Sequence, residues 1–242
     1  SLIDRARQAN YETLVLTADV PVLAHRIRDL RNGFRVPFTM GPKQFTDFAC
    51  HPRWALQTLH CGRPKPANVD WTSLQRRDTG RARIDWGFLS KLRSLWPNKL
   101  IIKGVMSPED ARMAVDAGSD AIYVSNHGGR QLDSAPSAIQ MLPRIRQAVG
   151  PDTLLVFDSG VRSGEGVVKA LVSGADFVML GRPFLYALGA SGPAGLQQMV
   201  DMLAKELSIV MAQLGCTRTT ELDRTMLVLN DDLSPSVKFP GT

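Results

Sequence analysis

The chain has 242 residues, 44% of them hydrophobic and 21% charged, with a formal net charge of +6. That length and balance suit one large α/β domain able to bury a substantial core, and no apolar run is long enough to cross a bilayer. The three cysteines (Cys50, Cys61 and Cys216) lack metal-ligand or disulfide-framework spacing, which argues against a metal site and makes a reducing, cytoplasmic compartment the default.

In chain order, a helix-like stretch from Leu2 to Ala9 leads into a strand, Thr13 to Thr17, that ends near Asp19. His25, Arg26, Arg28 and Arg31 then read as a solvated basic face. Prolines 37, 42, 52, 64 and 66 break up the stretch from Phe34 to Trp96, within which Pro52 to Leu59 suits a short helix. Inserts of this length are usually functional or mobile. Arg76, Arg77, Arg81 and Arg83 form a basic cluster that could meet anionic lipid, although the apolar face of an interfacial helix is missing. No nucleic-acid motif or aromatic interleaving accompanies the charge, so nucleic acid is not an expected partner.

From Leu100 onward strand and helix alternate with a short period. Leu100 to Ile102 is a buried strand ending at Lys103-Gly104. Ser107, Pro108, Glu109 and Asp110 follow as N-cap, first helical position and acidic first turn of a helix that runs to about Ala117 and stops at Gly118. Ala121 to Val124 is the next strand, and a helix spans Ala138 to Val149. Leu154 to Phe157 ends at Asp158-Ser159-Gly160, and Gly164 to Val172 is helical. Phe177 to Leu180 closes the series at Gly181-Arg182, and Leu196 to Leu214 reads as an amphipathic helix ending at Gly215.

Near-continuous apolar strands alternating with helices indicate a parallel sheet covered by helices. Ala117-Gly118-Ser119-Asp120 and Ser173-Gly174-Ala175-Asp176 echo each other at equivalent helix-to-strand junctions, which favours a β/α barrel over a doubly wound sheet. The expected fold is α/β, a TIM (β/α)8 barrel of which this chain supplies roughly the last five units. It is read as a single domain, 1–242, with an irregular insert around 61–83. Because the sequence starts at Ser1 inside a helix-like stretch, roughly three β/α units are expected to lie outside it.

The unusual residues fall at the C-terminal ends of strands, where such barrels place their sites. Asp158-Ser159-Gly160-Val161-Arg162 follows one strand and Gly181-Arg182 the next. Glycine-exposed amides, a helix N-terminus and two guanidiniums suit a phosphate; the alternative is that the glycines only permit tight turns. His127 sits between a strand and Gly128-Gly129, with Arg130 close behind, so a proton-transfer group lies near a cation that pairs carboxylates bidentately. Asp19 could orient the imidazole or be a turn residue before Val20-Pro21. Lys103 is either a fixed cation facing developing negative charge or a lysine reaching solvent.

The run Ser125-Asn126-His127-Gly128-Gly129-Arg130-Gln131-Leu132-Asp133 resembles the signature of the FMN-dependent 2-hydroxy acid oxidases and dehydrogenases, and the resemblance extends over nearly the whole chain. His51-Pro52-Arg53-Trp54 looks closer to the bacterial mandelate- and lactate-type members than to plant glycolate oxidase. The resemblance implies that Thr17, Lys103 and Ser125 contact the flavin, with Lys103 beside the ring edge that becomes anionic on reduction. It makes His127 the base, Asp19 its orienter, Arg130 the carboxylate clamp and Arg26 an assistant to that clamp. Asp158 would bond the ribityl hydroxyls, while Ser159, Gly160, Val161, Arg162, Gly181 and Arg182 would surround the phosphate. Further flavin contacts and substrate-binding tyrosines of the family precede the point where this chain starts.

The implied activity is FMN-dependent oxidation of a lactate-, mandelate- or glycolate-like L-2-hydroxy acid to the 2-keto acid. Oxygen, a quinone or a cytochrome would take the electrons, and the protein is expected to be a homo-oligomer. The segment from Cys61 to Arg83 corresponds to the family's variable stretch, which mediates membrane attachment in mandelate dehydrogenase. Peripheral contact with the inner membrane is therefore a minority expectation beside a cytoplasmic one. Two rivals remain: an FMN-barrel isomerase without net redox, and a catalytically silent fragment that binds a phosphate ligand.

Overall fold

The computed structural model of the chain describes residues 2–21, 27, 31–33, 41–62 and 84–228. The chain divides into two compact units, Ser1–Val20 with Ile84–Thr242, and Pro21–Arg83. The first carries a five-stranded sheet in the order β1-β2-β3-β4-β5. Its strands are β1 (Thr13–Thr17), β2 (Lys99–Val105), β3 (Ala121–Val124), β4 (Leu154–Phe157) and β5 (Phe177–Val178). All adjacent pairs are parallel. Consecutive parallel strands joined through helices are the layout of a β/α-barrel segment, as the alternating pattern predicts.

The helices form where propensity and capping agree. Ser107 caps Pro108–Asp116 by accepting from the Asp110 amide, with Pro108 in the first turn and Glu109 and Asp110 beside the positive helix end. Ala138–Val149 and Gly164–Val172 have the bounds that their sequence predicts. Between sheet and helices lies a core that includes Trp96, Leu100, Ile122, Leu142, Ile145, Leu155 and Phe157, all but excluded from solvent. Full burial of each large aliphatic side chain contributes about 1.5–3 kcal/mol. Trp96 can sit there because its Nε1 donates to the Lys99 carbonyl at 2.9 Å.

The echoed Gly-x-Asp junctions do the same job twice. Asp120 Oδ2 accepts from the Leu100 amide at 2.9 Å and from Arg93, and Arg93 also donates to the Gly118 carbonyl. Asp176 Oδ2 accepts from the Leu155 amide at 2.7 Å and from Arg146, which also bonds the Gly174 carbonyl. Each aspartate ties the start of its own strand to the start of a neighbour. These clasps stand at the N-terminal ends of the strands, opposite the ends that carry the unusual residues.

Several boundaries differ from expectation. β2 is longer than the apolar run because Lys103 and Val105 stay in the ladder, with Gly104 at a register irregularity between them. β5 ends at Val178, although the Met179 amide still bonds the Phe157 carbonyl at 2.8 Å. The helical stretch Arg182–Gln213 is two helices either side of a kink, and the second carries the amphipathic helix expected from Leu196, ending at Gln213. Pro183 is harmless in the first turn of the stretch, and the break falls at Ser191 and Gly192, just before Pro193. Trp86–Leu95 is a helix that the proline-broken stretch concealed, capped by Asp85 and burying Leu89 and Leu92.

Among its described residues the second unit contains two helices, Pro42–Cys50 and Pro52–Cys61, meeting at His51. Phe48 and Trp54 pack across this corner with ring centroids 4.7 Å apart. Beyond Gly62, the insert expected around 61–83 lies outside the described residues, as does Arg26.

Candidate active site

The C-terminal ends of β1 to β4 converge on one polar cluster. β1 and β2 are in register at Thr17 and Lys103, and the Ala18 amide bonds the Lys103 carbonyl at 2.8 Å. That contact delivers Asp19 to the rim. From the loop after β3, His127 Nδ1 meets Asp19 Oδ1 at 3.1 Å and Oδ2 at 3.2 Å. Both side chains are partly sheltered, at 29% exposure for His127 and 12% for Asp19. Of the alternatives for Asp19, the imidazole contact is the one present.

Gly104 makes that contact possible. It occupies the irregular position in β2 with φ of 96°, and a Cβ there would lie 2.5 Å from Asp19 Cβ. No side chain fits between strand and carboxylate. Sequence reading treats this glycine only as a strand end, since its closeness to Asp19 is a long-range fact.

Lys103 turns inward rather than to solvent. Its Nζ donates to Ser125 Oγ at 3.1 Å, stands 3.8 Å from Asp158 Oδ2 and lies 5.1 Å from the Tyr123 ring centroid. Ser125, fully buried, also accepts from the His127 amide at 3.1 Å, linking the cation to the backbone of the His127 loop. Asp158 accepts from Tyr123 Oη at 3.0 Å and from Ser159 Oγ at 2.8 Å. Burial, then the Asp158 charge and hydrogen bond, push the Tyr123 phenol well above its ordinary value of 10.0. It therefore remains a donor throughout the physiological range. The only hint of Tyr123 in the sequence is one hydroxylated aromatic in an otherwise aliphatic strand.

The His127 loop has an unusual backbone. His127 has φ of 56°, followed by Gly128 at 65° and Gly129 at 73°. Asn126 Oδ1 accepts from the Gly129 amide, Ser159 Oγ accepts from the amides of Asn126 and Gly128, and Arg182 Nη2 donates to the Gly128 carbonyl at 3.1 Å. Such a conformation persists only when its surroundings hold it in place.

At the Gly164–Val172 helix, Glu206 Oε2 accepts from the Gly164 amide at 2.7 Å and Ser163 Oγ from the Gly166 amide at 3.2 Å. A carboxylate thus partners the first amide of that helix end. The backbone is open at Gly160 before that helix and at Gly181 after β5, since a Cβ at either would meet nothing within 4 Å. Val161 buries its side chain in the core and has only its amide to offer. Arg130 and Arg162 are exposed, and neither guanidinium bonds another described residue.

The FMN-dependent dehydrogenase family model matches residues 1–229. The chain belongs to this family. It is 38% identical over 244 residues to an L-lactate dehydrogenase of Bartonella quintana, covering 96% of this chain and 63% of that protein. Over 229 residues it is 39% identical to an (S)-mandelate dehydrogenase of Pseudomonas putida, covering 91% and 58% respectively. A crystal structure of (S)-mandelate dehydrogenase, described as a monotopic membrane protein, superposes with a TM-score of 0.86 at 38% identity, over 92% of this chain and 61% of that one. The chain thus spans between 58% and 63% of these curated relatives.

Membership in the FMN-dependent dehydrogenases indicates FMN as the cofactor, and the residues present fit it. The backbone is open at Gly160 and at Gly181, where an added Cβ meets nothing within 4 Å, and the Arg182 guanidinium sits against the Gly128 carbonyl. Asp158 offers acceptors suited to hydroxyls, and Lys103 a cation on the inner side of the rim. Among the described residues no helix is long and apolar enough to cross a membrane.

Proposed function

We propose that the full-length protein containing this chain oxidises an L-2-hydroxy acid of the lactate or mandelate kind to its 2-keto acid. FMN, when bound, supplies the acceptor for the two electrons. The observation that carries the reading is the Asp19–His127 pair at 3.1 Å on the rim that also holds Lys103. With Nδ1–H donated to Asp19, His127 presents Nε2 as the atom that takes the substrate proton. The Asp19 carboxylate orients the ring and balances the positive charge that arrives with that proton.

Arg130 stands three residues after the base and clamps the substrate carboxylate with its two-pronged guanidinium, assisted by Arg26. Thr17, Lys103 and Ser125 face the flavin ring, and Asp158 bonds the ribityl hydroxyls. Ser159, Gly160, Val161, Arg162, Gly181 and Arg182 surround the phosphate, Val161 through its amide. Oxygen, a quinone or a cytochrome re-oxidises the cofactor, and the active protein is a homo-oligomer. Contact with an anionic membrane surface through the Arg76–Arg83 cluster is a second reading, favoured by the description of the mandelate dehydrogenase relative as monotopic.

The test is anaerobic titration of the purified full-length holoprotein with L-lactate and with (S)-mandelate. Bleaching of the yellow flavin by either acid supports the reading. Colour that no hydroxy acid bleaches returns the isomerase, and failure to take up flavin returns the silent binding fragment. H127Q should keep its flavin and lose turnover by about 10²–10⁴-fold, the usual contribution of a general base. Near-normal turnover in that variant overturns the role of His127.

A further inference from the structure

Ser159 is a non-glycine residue with φ of 87°, immediately before Gly160 at 88°. An L side chain in that region carries a steric penalty that glycine avoids. The left-handed turn by itself therefore calls for glycine, and the serine needs another reason. Its hydroxyl supplies one: Oγ accepts from the Asn126 amide at 3.2 Å and the Gly128 amide at 3.1 Å, and donates to Asp158 Oδ1 at 2.8 Å. The two amides flank His127, whose own backbone is also left-handed. No other described side chain accepts from both flanking peptides.

From this geometry we infer that Ser159 is a positioning residue for the base. It uses a strained backbone to aim one hydroxyl at the peptides on either side of His127, and so sets the imidazole against Asp19. Oγ–H goes to the Asp158 carboxylate, which leaves both oxygen lone pairs for the loop amides. The hydroxyl thus joins the strand end that carries the ribityl-binding carboxylate to the loop that carries the base. Where the loop relaxes, imidazole and substrate no longer meet at a fixed distance, and errors of about 1 Å in such placements cost rate by about 10²-fold.

The inference rests on His127 being the base, as proposed above, and the experiment separates the two. The full-length holoenzyme is compared with S159G, S159A and H127Q, using L-lactate and (S)-mandelate as substrates and hydrogen exchange of the 125–130 segment as a structural readout. S159G removes hydroxyl and strain together, so its melting temperature should hold or rise. Exchange at Asn126 and Gly128 should quicken, and kcat should fall about tenfold or more with KM within about twofold. S159A keeps the strained backbone without the hydroxyl, so it should lose kcat similarly and also melt lower. Unchanged exchange in S159G, or quickened exchange with wild-type kcat, overturns the positioning role while leaving the base assignment intact. Full turnover in H127Q overturns the base assignment, and the inference with it.

Discussion

Gly104→Ala isolates the packing that sets Asp19 against His127, the base proposed above. The new methyl must occupy a backbone with φ of 96°, which an L residue enters at a cost of about 1–2 kcal/mol. It also lands 2.5 Å from Asp19 Cβ and 2.6 Å from Cγ, where carbon atoms normally rest about 3.5–4.0 Å apart. Relief therefore needs a displacement of about 1 Å, and overpacking of this kind adds about 1–3 kcal/mol. Because the Asp19–His127 contacts are 3.1 and 3.2 Å long, a shift of that size takes them beyond hydrogen-bond range. Flavin reduction by substrate, followed by anaerobic stopped flow in the full-length holoenzyme, should slow by about 10²-fold. FMN content should be retained, because the phosphate contacts proposed above follow β4 and β5 rather than β2. In a D19A background the same substitution should cost far less, since the carboxylate it displaces is already gone. A wild-type reduction rate in G104A, or full additivity with D19A, would refute the packing argument.

Three other outcomes follow from the proposed roles and the contacts seen. If Arg130 is the clamp proposed above, Arg130→Lys should raise KM for the hydroxy acid and lower kcat together, because an ammonium cannot make a bidentate contact; steady-state kinetics unchanged by the swap would move the clamp elsewhere. Tyr123→Phe removes the hydrogen bond to Asp158, leaving that carboxylate less fixed, and should weaken FMN binding by about 3–10-fold on the scale of one hydrogen bond; fluorescence titration of the apoprotein checks it, and unchanged affinity contradicts it. Asp120→Asn should destabilise the fold by about 1–3 kcal/mol in denaturant melts, since Asp120 receives the Leu100 amide, Lys99 and Arg93 together. Partial burial pushes the Asp120 carboxyl up, but the Leu100 amide and the two cations outweigh it and hold it below its ordinary value of 3.8. A depressed folded value means that this stabilisation is complete above about pH 4 and drains away as the carboxylate is protonated at lower pH. The gap between wild type and variant should therefore close on acidification, and a gap that stays constant rejects the assignment.

Local order along the chain determined much of this protein. The Ser107-Pro108-Glu109-Asp110 start specified a helix because capping, proline and dipole effects act within one turn. The apolar runs at 121–124 and 154–157 specified buried parallel strands, since a strand covered on both faces has no polar side to show. The Ser125–Asp133 run marked the site by residue type alone. What lay between Phe34 and Trp96 was less legible, because prolines interrupt periodicity without forbidding helices that begin with them, as Pro42 and Pro52 both do.

Only the tertiary structure decided which of the marked residues touch. Asp19 and His127 are 108 positions apart in sequence yet share a hydrogen bond, and spacing could not choose between that role and a turn. Tyr123, Gly104 and Glu206 acquire meaning through neighbours on other strands and helices, Glu206 by accepting from the Gly164 amide 42 positions away. The physical reason is range. Capping, turn chemistry and hydrophobic period act over a few residues and leave their mark on the chain, whereas a close approach between strand ends is a property of the folded sheet.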